Sequence, residues 1–103
     1  MGMILHTNGL AEMRQPANGV HWTEPELQEI IGTSTIDIVS TIDGRFLVTD
    51  DLGKINQRPL NKAATRLYIH GRSDVIVGAA VVVDTMLELE GPEEDDDENN
   101  EAL

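Results

Sequence analysis

Lys54, Arg58, Lys62 and Arg66 recur at four-residue steps between Thr49 and Tyr68. Residues four apart share one face of a helix. If a helix reaches back to Arg58, the last three form one basic stripe with Lys54 beside it. Such a stripe could dock an anion, whether a nucleotide phosphate, nucleic acid or an acidic partner, because ammonium and guanidinium groups donate charge-assisted hydrogen bonds. The same spacing also describes an ordinary solvated helix face. Asn61 and Thr65, again four apart, could bond a ligand, and residues of these types equally cap a helix and bond back to its carbonyls. The candidate binding residues are therefore Lys54, Arg58, Asn61, Lys62, Thr65 and Arg66.

Other chemistry finds less support. The chain has no cysteine, which removes disulfides, thiolate metal sites and cysteine nucleophiles together. His6, His21 and His70 lack metal-ligand spacing, so no metal and no cofactor are expected. Asp50, Asp51 and Asn56 do not make a calcium loop, because Leu52 occupies a ligand position and Asn61 stands twelfth where glutamate is required. No nucleophile elbow, phosphate-binding loop or dinucleotide fingerprint is present. The expectation is a protein that binds and does not catalyse.

Charge separates the chain into two parts. Of 19 acidic residues, nine lie from Glu88 onward with no base among them, while residues 1–87 hold ten acids and seven bases. A mildly acidic body carrying a strongly acidic end is not built for nucleic acid, which requires a basic footprint. An acidic run can instead occupy the basic groove of a DNA-handling protein, or serve solubility alone. No apolar run is long enough to span a membrane, and no leader is read at the N-terminus, so a cytoplasmic location is expected. One Phe, one Tyr and one Trp leave the core to aliphatic residues, which suggests modest stability or help from self-association.

The elements that must position the candidates read as follows. Residues 3–7 form a strand, followed by the turn Asn8-Gly9. A second strand pairing back within residues 10–20 remains open. Thr23-Glu24-Pro25-Glu26 starts a helix as a capping box, with Trp22 and Leu27 spaced as a hydrophobic staple. Gly32 ends it. Residues 35–42 and 45–49 alternate as a hairpin about a two-residue Asp43-Gly44 loop. Lys54-Ile55 extends a strand. Asn61 caps a second helix that closes at His70-Gly71. Residues 74–84 are apolar without alternation, as in a central strand buried on both faces or two short strands kinked at Gly78. The expected fold is α+β in the order β-α-β-β-α-β, a small mixed or antiparallel sheet with two short helices on one face. It forms one domain over residues 1–90, followed by a disordered acidic tail over 91–103.

Three segments carry a resemblance. They are Leu27-Gln28-Glu29-Ile30-Ile31-Gly32 with Ile36-Asp37-Ile38-Val39; Asp51-Leu52-Gly53-Lys54 with Pro59-Leu60-Asn61 and Ala64-Thr65; and Asp74-Val75-Ile76-Val77-Gly78 with Ala80 to Val83. Together they resemble a small family of domains of unknown function carried mostly by bacteriophages, plasmids and some bacteria. Asp50-Asp51 stands where that pattern more often has Asn-Glu. The resemblance implies a phage-type accessory protein and brings no catalytic residues. The leading expectation is a non-catalytic accessory protein that binds a host macromolecule, such as a DNA-binding or defence protein, through an acidic surface and tail. A binder of a phosphate-bearing nucleotide or metabolite, using the basic stripe, is the alternative, and a structural homo-oligomer is a third.

Overall fold

Two loops of the same kind turn the chain back on itself. The structure is a computed structural model that describes residues 2–89. β1 (Gly2–Leu5) and β2 (Ala11–Arg14) pair antiparallel with Met3 opposite Met13, so the return strand left open in the sequence exists. β3 (Ile36–Ser40) and β4 (Phe46–Asp50) pair likewise, with Ile38 opposite Val48. The His6 N–H donates to the Leu10 carbonyl across Thr7-Asn8-Gly9, and the Thr41 N–H to the Arg45 carbonyl across Ile42-Asp43-Gly44. Gly9 (φ +93°) and Gly44 (φ +87°) close the loops in the left-handed region. These are three-residue hairpin loops. The expected two-residue Asp43-Gly44 loop is corrected, because Thr41 and Arg45 are the residues that bond across it.

β5 (Ala80–Val83) joins the hairpins. The five strands form one antiparallel sheet in the order β2-β1-β5-β4-β3. Val82 lies opposite Met3 on one side and Leu47 on the other. Every residue of β5 is buried, as expected of a central strand with cover on both faces. Successive strand side chains point to opposite faces, and the core divides accordingly. Ile4, Val48, Val81 and Val83 pack with Trp22, Leu27 and Ile31, whereas Leu5, Leu47, Ala80 and Val82 pack with Ala64 and Ile76.

α1 (Glu24–Ile31) covers the first face. Thr23 caps it by accepting from the Glu26 N–H, Pro25 sits in the first turn, and Gly32 ends it at φ +81°. Trp22 is fully buried beside Leu27. The reciprocal half of the capping box does not form, because the Glu26 carboxylate accepts from the Ala17 N–H (3.1 Å). The Trp22 Nε1 has no hydrogen-bond partner among the described residues. An unpaired buried donor of this kind costs about 1–3 kcal/mol, which burial of the large ring offsets.

α2 (Lys62–Leu67) covers the opposite face and is only six residues long. A short 3-10 turn spans Met86–Glu88, and Leu89 then bridges to Trp22. The expected α+β layout with two helices on one face is thereby corrected. The described residues form a mostly sheet domain of five antiparallel strands, with a single helix longer than seven residues. The second strand adds an element to the expected order, and the helices lie on opposite faces. The physical reason is that β5 and β4 are apolar on both sides and need cover on both. Two further expectations change. Residues 51–57 form turns and not a strand extension, and the run 74–84 contributes regular strand only from Ala80, after Gly78 at φ +78°. No described helix is long and apolar enough to cross a membrane. The expected tail, 91–103, lies outside the described residues.

Candidate functional site

The basic residues of the central stretch do not share one face. Pro59 lacks the N–H that a helix interior needs, and the Asn61 side chain accepts from the Ala64 N–H at 3.0 Å. The helix therefore begins at Lys62 and leaves Arg58 in the extended lead-in. Arg58 reaches the end of α1, where its guanidinium donates to the carbonyls of Ile31 (3.2 Å) and Gly32. Its Nε lies 3.2 Å from Asp50 Oδ2, an ion pair without hydrogen-bond alignment. The Asp50 carboxylate is wholly buried and also accepts from the Leu52 N–H. A cation at a helix C-terminus complements the free carbonyls there, so Arg58 ties α1 to the end of β4.

Asn61 faces inward. It is fully buried, and its Nδ2 donates to the carbonyls of Leu5 and Gly78, both at 2.9 Å. Thr65 donates its hydroxyl to the Asn61 carbonyl (2.8 Å) and accepts from the Ile76 N–H (2.9 Å). These two side chains bind α2 to β1 and to the strand approach at 76–78. Lys54 donates to Asp74. That ammonium, with help from the Val75 N–H, holds the Asp74 carboxyl below its ordinary pKa.

Lys62 and Arg66 remain exposed on α2. Arg66 borders two cavities. One of about 350 Å³ opens toward His6, Asn8 and Lys62, and the other, about 310 Å³, toward Ile42, Ile69 and Arg72. Among the described residues, four of the seven cations are paired, Arg14 with Glu12, Arg45 with Asp43, Lys54 with Asp74 and Arg58 with Asp50. Lys62, Arg66 and Arg72 have no ion-pair partner there. Arg72 follows His70-Gly71 at no helical spacing from Arg66, and periodicity does not find it.

A third concavity lies between the end of the β3–β4 hairpin and residues 74–77. It encloses about 140 Å³. Asp37 and Thr49 pair across β3 and β4. Val39 and Leu47, two residues away on each strand, belong to the α2-side core, which places Asp37 and Thr49 on the same face. Asp51, Lys54, Asp74 and Tyr68 complete the polar rim, and Val39, Val75 and Val77 the walls. Thr49 is 6 % exposed, and its hydroxyl has no hydrogen-bond partner among the described residues. Asp37 and Asp51 have no ion-pair partner there. The alternation of β3 and β4 was the available signal for pairing Asp37 with Thr49. The closure of the cleft by residues 74–77 was not readable. No group of three or more His, Asp or Glu among the described residues is arranged to hold a metal ion.

Residues 5–96 match the family model for a domain of unknown function, DUF3846. That span is most of the chain, and the chain belongs to this family. Neither the curated proteins nor the solved structures contain a significant match.

Proposed function

We propose that this member of the DUF3846 family is a non-catalytic accessory protein of a phage-type system, working in the host cytoplasm. It binds a basic host protein through its acidic surface and acidic C-terminal segment. The observation that carries the reading is the allocation of charge. Most cations of the body are neutralised by their own carboxylates, whereas Glu24, Glu29, Asp37 and Asp51 have no ion-pair partner among the described residues. With the run Glu93 to Glu101 added, the long-range field is negative. Such a field steers a cationic partner and repels nucleic acid.

The test is capture from host lysate on the immobilised full chain, beside a chain ending at Gly91. The expected result is a basic protein, retained by the full chain, weakened on the shorter one and released as salt rises. Capture that is indifferent to salt and to the acidic segment overturns the reading.

One observation favours a second reading. Lys62, Arg66 and Arg72 have no ion-pair partner among the described residues and border adjoining cavities on the α2 face, an arrangement suited to a phosphate-bearing nucleotide or metabolite. A thermal-shift screen against nucleotides tests it, because a ligand of the folded state raises Tm by mass action. Arg66→Glu removes the shift if this reading holds.

A further inference from the structure

We infer that the cleft between the β3–β4 hairpin and residues 74–77 receives an arginine side chain of the basic partner, with the guanidinium held between Asp37 and Asp51 over the Thr49 hydroxyl. This rests on the reading that the partner is basic, and it names the contact that gives the encounter its register.

Three features of the cleft point to this occupant. Lys54 and Asp74 neutralise each other at its rim and Asp50 is committed to Arg58, so among the described residues the uncompensated charge of the cleft belongs to Asp37 and Asp51. The Thr49 hydroxyl is an independent sign. Thr49 is 6 % exposed and lines the cleft, and its hydroxyl has no hydrogen-bond partner among the described residues, so an acceptor is left open to whatever enters. A donor arriving from outside would satisfy it. The walls are Val39, Val75 and Val77, with the half-buried Tyr68 at the rim. Apolar walls suit the aliphatic stem of an arginine, and an aromatic ring suits its cation. The volume of about 140 Å³ is on the scale of one side-chain head. Guanidinium is favoured over ammonium because its planar fork can serve two carboxylates and a hydroxyl at once, with several donors in fixed directions.

The experiment is an NMR titration of the 15N-labelled full chain with the capped peptide Ac-Gly-Arg-Gly-NH2. Peptides carrying lysine or glutamate in the central position are run beside it. The expected result is saturable shifts centred on the amides of Thr49, Asp51 and Tyr68, with arginine tighter than lysine and no binding of the glutamate peptide. Asp37→Asn and Asp51→Asn should each weaken the arginine peptide by about threefold, the scale of a partly exposed ion pair. Thr49→Val should weaken it as well while leaving the chain folded, because it removes the acceptor that faces the cleft and keeps the shape of the side chain. Shifts that never saturate, that spread equally to Glu24 and Glu29, or that persist in all three variants overturn the inference. If the Asp37→Asn/Asp51→Asn chain still captures a basic protein from lysate with salt sensitivity, the pocket alone is refuted. If the full chain captures no basic protein, the reading it rests on falls too.

Discussion

Replacing Asn61 by alanine should lower Tm by about 12–24 °C, at the usual 4–8 °C per kcal/mol for a domain of this size. The magnitude follows from three hydrogen bonds made by one fully buried side chain. The Oδ1 accepts from the Ala64 N–H at 3.0 Å and caps α2, which is worth about 1 kcal/mol. The Nδ2 donates to the Leu5 and Gly78 carbonyls at 2.9 Å each, with a net value of about 1 kcal/mol apiece. The sum of roughly 3 kcal/mol is a large share of the 5–15 kcal/mol that holds an ordinary domain together. Asn61→Ser separates the parts, since it can keep the cap while losing both donors, and should recover about 1 kcal/mol relative to alanine. Asn61→Asp keeps the cap acceptor but turns an acceptor toward two carbonyls. At neutral pH it should be the least stable of the three. The introduced carboxyl has a raised pKa in the folded state, so stability is recovered as pH falls and protonation restores a donor. Urea and thermal unfolding followed by circular dichroism give the numbers. An Asn61→Ala loss below about 1 kcal/mol, the value of a cap alone, or an Asn61→Asp protein as stable as wild type at pH 7, would refute the role of Asn61 as a buried tie between α2, β1 and Gly78.

Other perturbations have expected outcomes of their own. Arg58→Ala leaves the wholly buried Asp50 carboxylate without its counter-ion and α1 without its C-terminal donor. The loss should be about 3 kcal/mol by chemical denaturation, and Arg58→Lys should rescue the charge but not both carbonyl contacts. A Cβ at Gly71 would stand 2.1 Å from the Thr65 carbonyl oxygen. Gly71→Ala must therefore displace the backbone at the end of α2, and native-state hydrogen exchange should show that helix opening first. Glu12, Asp43 and Asp74 have folded pKa values below their ordinary 4.5, 3.8 and 3.8, held down chiefly by Arg14, Arg45 and Lys54 respectively. Depressed carboxyls contribute stability above their unfolded pKa and lose it as pH falls through the folded one. Tm should thus be flat from neutrality to about pH 5 and decline below about pH 4, less steeply in high salt; a decline beginning near pH 6 would contradict it.

Where local chemistry decides structure, the sequence was legible. Thr23, Pro25 and Gly32 bound α1 because capping and φ preferences act within a few residues. The alternation of Ile36, Asp37 and Ile38 against Phe46 to Asp50 gave the β3 and β4 strands for the same reason. Asn61 was readable as a cap, but its two bonds to Leu5 and Gly78 join residues 56 and 17 positions away and leave no local signature. The layer arrangement was misjudged at β5. Its unbroken Ala80 to Val83 run already implied cover on both faces, and that is incompatible with both helices on one. The basic stripe failed because Pro59 and the Asn61 cap place Arg58 outside the helix. Thr49 could not be singled out, since a buried threonine on a strand is ordinary until the closing segment shows that no described residue bonds its hydroxyl.

The most direct measurement is hydrogen–deuterium exchange on the full chain with and without the basic protein it captures. Protection concentrated in β3, the end of β4 through Lys54, and residues 74–77 is the result expected if a cationic side chain seats in the acidic cleft. Protection confined to Lys62 through Arg72, with the cleft unchanged, would contradict it and place the contact on the cationic face instead.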